Sequence, residues 1–409
     1  MSMAADQFFP SSITIFCRVV DYFGDIGVCW RLARQIAAIE EVVKVRLVVD
    51  DIATFHRICS DVDPHTVAPQ YFGRIEISPW LSASDSAFIQ IPTDLILETF
   101  GAGLPEEFLN AMALRVVKPA WINLEYLTAE TWIEQYHCLP SPHASLPLVK
   151  HFFFPGFTEH TGGLLREKTL SLRRTQFQKN VDKNVFLAGR LSEPSWKIDE
   201  QSRLVSLFCY PNAPVEALLA AMADVDAARY TVCLVPEGIA TEQISHFLGA
   251  PAVAGTSRKK GKLCVAVIGM TNQDDYDQLL WACDVNFVRG EDSFLRAQWA
   301  ARPAIWQIYP QQGQAHIPKL NAFVERYVDA AGTDLRPLIA KMFEAWNGNG
   351  DIALAWESLI DSTLLDDTGY PRASGTVPNW PVHARNWVTS LEKQPDLVTK
   401  LLRYARKVG

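Results

Sequence analysis

Apolar residues recur along the chain with two different spacings. Short runs rich in Val, Ile and Leu, such as 13–20 and 43–49, predict buried strands. Between these two runs, apolar residues recur every three or four positions at Val28, Leu32 and Ile36, which predicts a helix over about 27–39. This alternation is typical of parallel sheets that are covered by helices on both faces.

The predicted elements form two series. The first has strands at 13–20, 43–49, 95–97, 120–122 and 151–154, with helices at 27–39, 105–114 and 129–136. The second has strands at 204–208, 230–235, 263–268, 285–288 and 304–308, with helices at 214–222, 244–248, 276–282 and 293–301. The segment 167–184 between them is polar and basic, which indicates a domain boundary. The pattern predicts an α/β protein of two doubly wound domains, 1–185 and 186–384. A last, basic helix at about 385–409 either packs back on the first domain, as in similar folds, or contacts a partner.

Composition narrows the class of protein. The chain has 409 residues, with 38 Lys and Arg against 46 Asp and Glu, which gives a net charge of −8. This acidity disfavours nucleic acid as the main partner. No apolar run approaches the roughly 18 residues of a membrane span, and the chain opens without a signal-like segment. We therefore expect a cytoplasmic protein without a membrane partner.

Cysteine and histidine spacing argues against a structural metal. None of the eight cysteines forms a C-x-x-C pair, and the histidines show no H-E-x-x-H motif. Five cysteines lie in apolar runs, which predicts buried thiols in a reducing compartment.

The first candidate site is the turn after the first strand, from Asp21 to Gly27. Asp21 and Asp25 flank a glycine turn that opens a helix. If both carboxylates face a cleft, one can accept a proton while the other orients the reacting group. The alternative is that Asp25 only caps the helix and Asp21 is solvated. The turn has no G-x-G-x-x-G, and its carboxylates would repel a diphosphate.

The second candidate site is the turn between the strand that ends at Arg289 and the helix that begins near Ser293. A helix start can bind a diphosphate through main-chain N–H groups, and Arg289 would add positive charge. Glu291 would be unfavourable there unless its side chain turns elsewhere, toward sugar hydroxyls or a cationic acceptor. The alternative is that Asp292 and Ser293 only cap the helix.

Two further positions could contact a nucleotide. Phe208 and Tyr210, at the end of the first strand in the second series, could stack on a base or donate a hydroxyl to phosphate, or could be core residues. Gln273, before a predicted helix, could form paired hydrogen bonds with a base edge.

Four blocks together resemble the EarP family of bacterial protein-arginine rhamnosyltransferases, which modify elongation factor P. They are the segment from Val20 to Arg34, the segment from Trp121 to Leu127, the segment from Gly162 to Glu167, and Arg289-Gly290-Glu291-Asp292-Ser293-Phe294 with Arg296-Ala297-Gln298 and Ile308-Tyr309-Pro310-Gln311. Their order and spacing fit nearly the whole chain. Three positions depart from the family pattern: Tyr22 replaces Asn, Cys209 replaces Gly, and Met270 stands where an aromatic residue is expected under the thymine.

The resemblance implies a GT-B fold, with two Rossmann-like domains facing across a cleft, and no metal or cofactor. It implies transfer of L-rhamnose from dTDP-β-L-rhamnose to an arginine of elongation factor P, with inversion at the anomeric carbon. By position, Asp25 matches the family's general base, Asp21 its companion carboxylate and Glu291 a glutamate needed for activity. The positions that match the donor site are Phe208, Tyr210, Met270, Gln273, Arg289, Asp292, Ser293 and Tyr309. Two alternatives stay open: a different inverting nucleotide-sugar transferase, and a non-catalytic module that binds a translation factor.

Overall fold

The computed structural model describes residues 9–80, 91–191, 202–224, 229–360 and 379–409. The chain divides into two compact units. Unit 1 comprises the described residues up to Glu167 together with Lys393–Gly409, and unit 2 comprises those from Lys168 to Glu392. The sequence-based ranges, 1–185 and 186–384, place the two changes of domain after residues 185 and 384, whereas the units of the structure change after Glu167 and Glu392.

Unit 1 is built on an eight-stranded mixed sheet. Its strands are β1 (Ser12–Cys17), β2 (Lys44–Val49), β3 (Gln70–Phe72), β4 (Ile75–Pro79), β5 (Leu95–Thr99), β6 (Ala120–Leu124), β7 (Pro140–Pro142) and β8 (Val149–Phe153). Its helices are α1 (Phe23–Ala37), α2 (Ile52–Ile58), α3 (Glu106–Leu114), α4 (Ile133–Tyr136) and the final helix of the chain, α15 (Leu397–Val408). The central strands are buried because both faces of the sheet are covered.

The order of the strands reverses beside β1. The sheet runs β3-β4-β2-β1-β5-β6-β8-β7, so the chain builds outward from β1 in one direction and then from β5 in the other. β1 pairs in parallel with both β2 and β5. In such sheets ligands bind beyond the carboxyl ends of the strands at this switch point. In unit 1 this is where the segment from Val20 to Asp25 follows β1.

Unit 2 has a six-stranded sheet and most of the helices. Its strands are β9 (Ser202–Leu207), β10 (Tyr230–Pro236), β11 (Ser257–Lys260), β12 (Leu263–Ile268), β13 (Val285–Arg289) and β14 (Ala304–Gln307). Its helices are α5 (Leu170–Asn180), α6 (Lys183–Ala188), α7 (Val215–Met222), α8 (Thr241–Leu248), α9 (Gln273–Ala282), α10 (Asp292–Trp299), α11 (His316–Val328), α12 (Leu335–Trp346), α13 (Ile352–Ile360) and α14 (Trp380–Leu391).

The sheet of unit 2 has the same kind of reversal. Its order is β11-β12-β10-β9-β13-β14, and β9 pairs in parallel with both β10 and β13. The switch point therefore lies between the end of β9, before Phe208, and the end of β13, at Arg289. The two parallel-core mixed sheets confirm the predicted α/β class.

Several predicted boundaries are wrong by a few residues, and the shifts matter at the sites. α1 begins at Phe23 rather than near Gly27, so Asp25 lies inside the first helical turn. α9 begins at Gln273 rather than at Tyr276, because Asn272 caps the helix by accepting a hydrogen bond from the Asp275 main-chain N–H at 2.9 Å.

The polar segment that was predicted as a boundary contains a helix. In α5 only Leu170 is fully buried, so the segment lacks the apolar periodicity that sequence reasoning needs. Hydrogen bonds to the C-terminal end of α10, in the same unit, hold the helix instead: Arg174 Nη1 donates to the Trp299 carbonyl at 2.8 Å, and Gln178 Nε2 donates to the Ala300 carbonyl at 3.0 Å.

Two further observations bear on the predictions. All eight cysteines are free thiols, and the five in apolar runs are buried as predicted. Among the described residues, no helix is both long enough and apolar enough to span a bilayer.

Candidate functional site

The segment after β1 holds the Asp25 carboxylate in a fixed position. Asp25 Oδ2 accepts hydrogen bonds from the main-chain N–H groups of Val20 at 2.7 Å and Asp21 at 2.8 Å. The helix start itself is at Tyr22, whose φ of 40° is unusual for a residue with a Cβ atom. Asp25 therefore does not cap the helix; it stabilises the preceding turn.

Burial distinguishes Asp25 from an ordinary helix-start carboxylate. Its side chain is inaccessible to solvent, and Asp21 beside it is only 7% exposed. Within the described part of the chain, the buried Oδ1 atom of Asp25 has no hydrogen-bond partner. Burial raises the pKa of Asp25, against the lowering effect of the two main-chain N–H donors and of the nearby Tyr126 hydroxyl, while the Asp50 charge raises it further.

Residues from the neighbouring strands complete this end of unit 1. Asp50 follows β2 and accepts a hydrogen bond from the Val19 main-chain N–H at 2.8 Å. Phe100 follows β5 with a φ of 57°, and its ring stacks on Tyr126 with centroids 4.3 Å apart. The loops at the switch point of unit 1 thus bring aromatic rings and carboxylates close to Asp25.

In unit 2 the Arg289 guanidinium lies against two aromatic rings. Its Cζ atom is 4.6 Å from the Phe208 ring centroid and 4.7 Å from that of Tyr210. Arg289 Nη1 also donates to the Cys209 carbonyl at 3.2 Å. Such contacts stabilise a cation beside the faces of the rings. Both rings are buried, and each contacts Arg289, so base stacking and core packing both stay open for Phe208 and Tyr210.

The turn after Arg289 is held from several directions. Gly290 has a φ of 61°, a left-handed conformation that glycine adopts readily, and its carbonyl accepts a hydrogen bond from Trp306 Nε1 at 2.9 Å. Ser293 Oγ accepts from the Arg289 main-chain N–H at 3.1 Å and donates to the Arg289 carbonyl. These bonds fix the start of α10 relative to the end of β13.

Both carboxylates at the start of α10 contact partners on other helices. Asp292 Oδ2 accepts a hydrogen bond from Gln273 Nε2 of α9 at 3.1 Å. Glu291 Oε1 forms an ion pair with Lys319 Nζ of α11 at 2.8 Å. In this structure Glu291 therefore pairs with a lysine of its own chain.

The structure brings most of the predicted residues of unit 2 together. Tyr309 joins them through Tyr210, with ring centroids 5.5 Å apart in an edge-to-face arrangement. Met270 is half-buried and follows β12, three residues before Gln273. In unit 1 the structure brings Asp21 and Asp25 together in one turn. The roles of all these residues stay predictions.

Sequence reasoning missed Asp50, Phe100 and Lys319. Asp50 and Phe100 each follow a strand directly, and that position at the carboxyl end of a parallel strand was the available signal. Lys319 gives no such signal, because it lies in the first turn of a helix, His316–Val328, and not at the end of a strand. Among the described residues there is no group of three or more His, Cys, Asp or Glu placed to hold a metal ion.

Comparison with known proteins gives matches over nearly the whole chain. The profile of the family described as elongation-factor P (EF-P) rhamnosyltransferase EarP matches residues 13–406. The chain is 40% identical over 395 residues to a protein-arginine rhamnosyltransferase of Pseudomonas putida, covering 96% of this chain and 98% of that protein. It is also 40% identical over 400 residues to the protein-arginine rhamnosyltransferase of Pseudomonas aeruginosa, with the same coverage.

A solved structure gives the same result for the fold. It is described as the structural basis for EarP-mediated arginine glycosylation of translation elongation factor EF-P, and it is 31% identical to this chain with a TM-score of 0.64. The match covers 97% of this chain and 99% of that one, which confirms the predicted fold class, an α/β fold of the GT-B type. The chain therefore belongs to the EarP family of protein-arginine rhamnosyltransferases.

Proposed function

We propose that this protein transfers L-rhamnose from dTDP-β-L-rhamnose to an arginine side chain of elongation factor P, with inversion and without a metal. In this proposal unit 1 binds and activates the acceptor, and unit 2 binds the donor. The family supports the reaction type and the acceptor. The observation that carries the assignment of residues is the buried Asp25 carboxylate, held by two main-chain N–H groups at a strand end.

The acceptor poses a specific chemical problem. A guanidinium has a pKa above about 12 and no lone pair on nitrogen at neutral pH, so it must lose a proton as its nitrogen attacks carbon. Asp25 is suited to take that proton, because burial raises its pKa and makes it a stronger base than an ordinary aspartate. Asp21 is the companion that holds the cation by a charge-assisted hydrogen bond.

Access to Asp25 requires a small movement. Its side chain is fully buried in the structure, although Oδ1 has no hydrogen-bond partner in the described chain. In this proposal the turn around Tyr22 shifts when the acceptor arrives, and the guanidinium donates to Oδ1. The bonds from Val20 and Asp21 to Oδ2 keep the carboxylate oriented during that step.

The start of α10 is the proposed site for the donor diphosphate. A helix N-terminus favours an anion, and Arg289 adds a positive charge beside it. Phe208 and Tyr210 hold Arg289, and Gln273 is near enough to Asp292 to contact the same ligand. These positive and partially positive groups stabilise the charge on the leaving dTDP.

The reaction is a single displacement. A guanidino nitrogen forms a bond to the anomeric carbon, and the bond from that carbon to the diphosphate oxygen breaks with its electron pair. The proton leaves the nitrogen for Asp25. One displacement inverts the anomeric carbon, so no nucleophile of the enzyme is needed.

The decisive experiment is intact-mass analysis of elongation factor P after incubation with the protein and dTDP-β-L-rhamnose. The expected result is an increment of one deoxyhexose on one arginine, with an α-linkage by NMR. No increment would contradict the proposed substrates, and a β-linkage would contradict inversion. Transfer to a glycan or small molecule instead would support the alternative of a different nucleotide-sugar transferase.

A further inference from the structure

Two adjacent carboxylates at the start of α10 create an electrostatic difficulty for the proposed donor site. Glu291 and Asp292 are consecutive, and a diphosphate bound at this helix end would lie close to both. Juxtaposed like charges oppose binding. Each carboxylate must therefore be neutralised or directed away from the diphosphate.

The structure shows a cationic partner for Glu291. Within the described chain, the Glu291 side chain makes no capping hydrogen bond to α10, and its Oε1 atom is 2.8 Å from Lys319 Nζ. The side chains of Lys319 and Glu291 are only 21% and 10% exposed. Solvent screens such a pair less than a surface ion pair, so the lysine changes the local potential substantially.

Lys319 is delivered by a well-packed helix. Phe323, one turn further along α11, lies edge-to-face on the Phe294 ring of α10 with centroids 4.7 Å apart. It also packs edge-to-face on Trp306, whose Nε1 atom donates to the Gly290 carbonyl. The position of α11 is thus coupled to the turn that carries Glu291.

We infer that Lys319 is a positioning residue, which neutralises Glu291 and keeps its carboxylate away from the donor diphosphate. The inference rests on the proposed function of the α10 N-terminus as the donor site. It concerns a residue that acts through Glu291 and does not itself contact the phosphates. Loss of the Lys319 charge would therefore weaken donor binding only while Glu291 is negatively charged.

A double-mutant cycle tests this with dTDP as the probe and calorimetry as the measurement. We expect Lys319→Gln to raise the dissociation constant of dTDP about 10-fold, which corresponds to a loss of roughly 1.4 kcal/mol of binding free energy. Lys319→Arg should restore binding to within about 3-fold of wild type, because it keeps the charge. In a Glu291→Gln background, Lys319→Gln should change the affinity by less than about 2-fold, because no carboxylate is left to neutralise.

Steady-state kinetics distinguish a specific effect on the donor from partial unfolding, because unfolding would not change the KM for one substrate more than the KM for the other. Lys319→Gln should raise the KM for dTDP-β-L-rhamnose with a smaller change in the KM for elongation factor P. The matched control is Lys341→Gln, which removes an exposed lysine from α12 in the same unit and should change neither constant. Thermal unfolding of each variant checks that the unit is folded.

Each other outcome overturns the inference in a distinct way. An unchanged dTDP affinity for Lys319→Gln would show that Glu291 needs no neutralisation. A 10-fold loss that persists in the Glu291→Gln background would mean that Lys319 contacts the phosphates directly. If the wild-type protein itself does not bind dTDP, the proposed donor site fails, and this inference fails with it.

Discussion

Asp25 combines two features that ordinary helix-start carboxylates lack. It is fully buried, and its pKa is raised by that burial although two N–H groups bind the ionised form. Folding therefore disfavours its charged state, a cost that structural residues generally avoid. Costs of this kind concentrate at functional sites, which favours a chemical role for Asp25 over capping.

The raised pKa of Asp25 predicts how activity depends on pH. A general base must be ionised, so kcat/KM should fall as the pH decreases through the pKa of Asp25 in the free enzyme. Because burial raises that pKa above the ordinary value of 3.8, the acid limb should lie at higher pH than for a solvated aspartate. Transfer rates measured against pH, with folding checked by circular dichroism at each point, test this. An acid limb at or below the ordinary value would contradict it.

The same shift predicts the stability of Asp25→Asn. A raised folded-state pKa means that wild type carries a folding penalty above that pKa and none below the unfolded-state pKa. The amide oxygen can still accept from Val20 and Asp21 without burying a charge. Asp25→Asn should thus be at least as stable as wild type at pH 7, and its advantage should shrink as the pH falls through the Asp25 pKa. Urea unfolding across this range measures it.

A control separates this effect from general loss of a carboxylate. Asp396→Asn replaces the aspartate that caps α15 in the same unit, where asparagine caps equally well. It should retain transfer activity, whereas Asp25→Asn should lose at least about 100-fold. A stable Asp25→Asn variant with full activity would remove the role proposed for Asp25.

Tyr22 stores backbone strain at the same turn. Its φ of 40° and ψ of −107° suit glycine, and the residue is 59% exposed. Tyr22→Gly should raise the free energy of unfolding by about 1 kcal/mol, because it relieves a conformation that costs residues with a Cβ atom. Tyr22→Ala is the control, since it removes the ring but keeps the Cβ atom and should give no such gain. Equal stability of the two variants would show that φ is not the cause.

At the scale of elements, helices α9 and α10 are joined by a buried ion pair. Arg296 donates through Nε and Nη2 to the two carboxylate oxygens of Asp277, at 2.9 and 2.5 Å, and both side chains are 1% exposed. The pair fixes the register of α10 against α9, and with it the separation of Gln273 from Asp292. The geometry of the proposed donor site thus depends on a contact about one helical turn away from it.

Breaking that pair predicts a large loss of stability. Arg296→Met should lower the free energy of unfolding by about 3 kcal/mol or more, because it leaves the Asp277 carboxylate buried without its cation. The control is Arg336→Met, which breaks an exposed pair with Asp329 whose atoms are 3.5 Å apart and should cost less than about 1 kcal/mol. Chemical denaturation measures both, and similar losses would contradict the importance of burial.

For the whole molecule, the chain passes from unit 1 to unit 2 after Glu167 and returns after Glu392. Hydrogen bonds attach the returning helix, α15, to unit 1: the Leu397 main-chain N–H donates to the Leu164 carbonyl at 2.9 Å, and the Tyr404 hydroxyl donates to the Cys138 carbonyl at 2.9 Å. Each unit therefore has its own sheet, switch point and candidate residues. This division predicts that donor binding and acceptor activation can be separated by mutation.

The separation has a direct test. Arg289→Ala should weaken dTDP binding at least about 10-fold, because it removes the positive charge beside the α10 N-terminus. Asp25→Asn should leave the dTDP dissociation constant within about 2-fold of wild type, although it should lower transfer at least about 100-fold. Calorimetry with dTDP measures both variants. A loss of dTDP affinity in Asp25→Asn, or none in Arg289→Ala, would contradict the assignment of the donor to unit 2.

The sequence by itself determined the α/β class, most of the central strands and the positions where chemistry was to be expected. Central strands such as β12, predicted from Leu263 to Ile268, are buried on both faces and read as continuous apolar runs, so local pattern and tertiary environment agree. The four segments that resemble the EarP family indicated the type of reaction. Short edge strands such as β3 and the polar helix α5 escaped prediction, because neither has the periodicity of a buried face.

Only the tertiary structure decided the partners of the predicted residues. Burial of Asp25, the position of Arg289 against two rings, and the pair between Glu291 and Lys319 all join positions that are far apart in the chain or depend on what surrounds them. Side-chain pairing and desolvation arise from packing between elements, and a single sequence contains no local signal for either. The sequence therefore indicated candidate residues for the chemistry, and the fold decided which groups surround them.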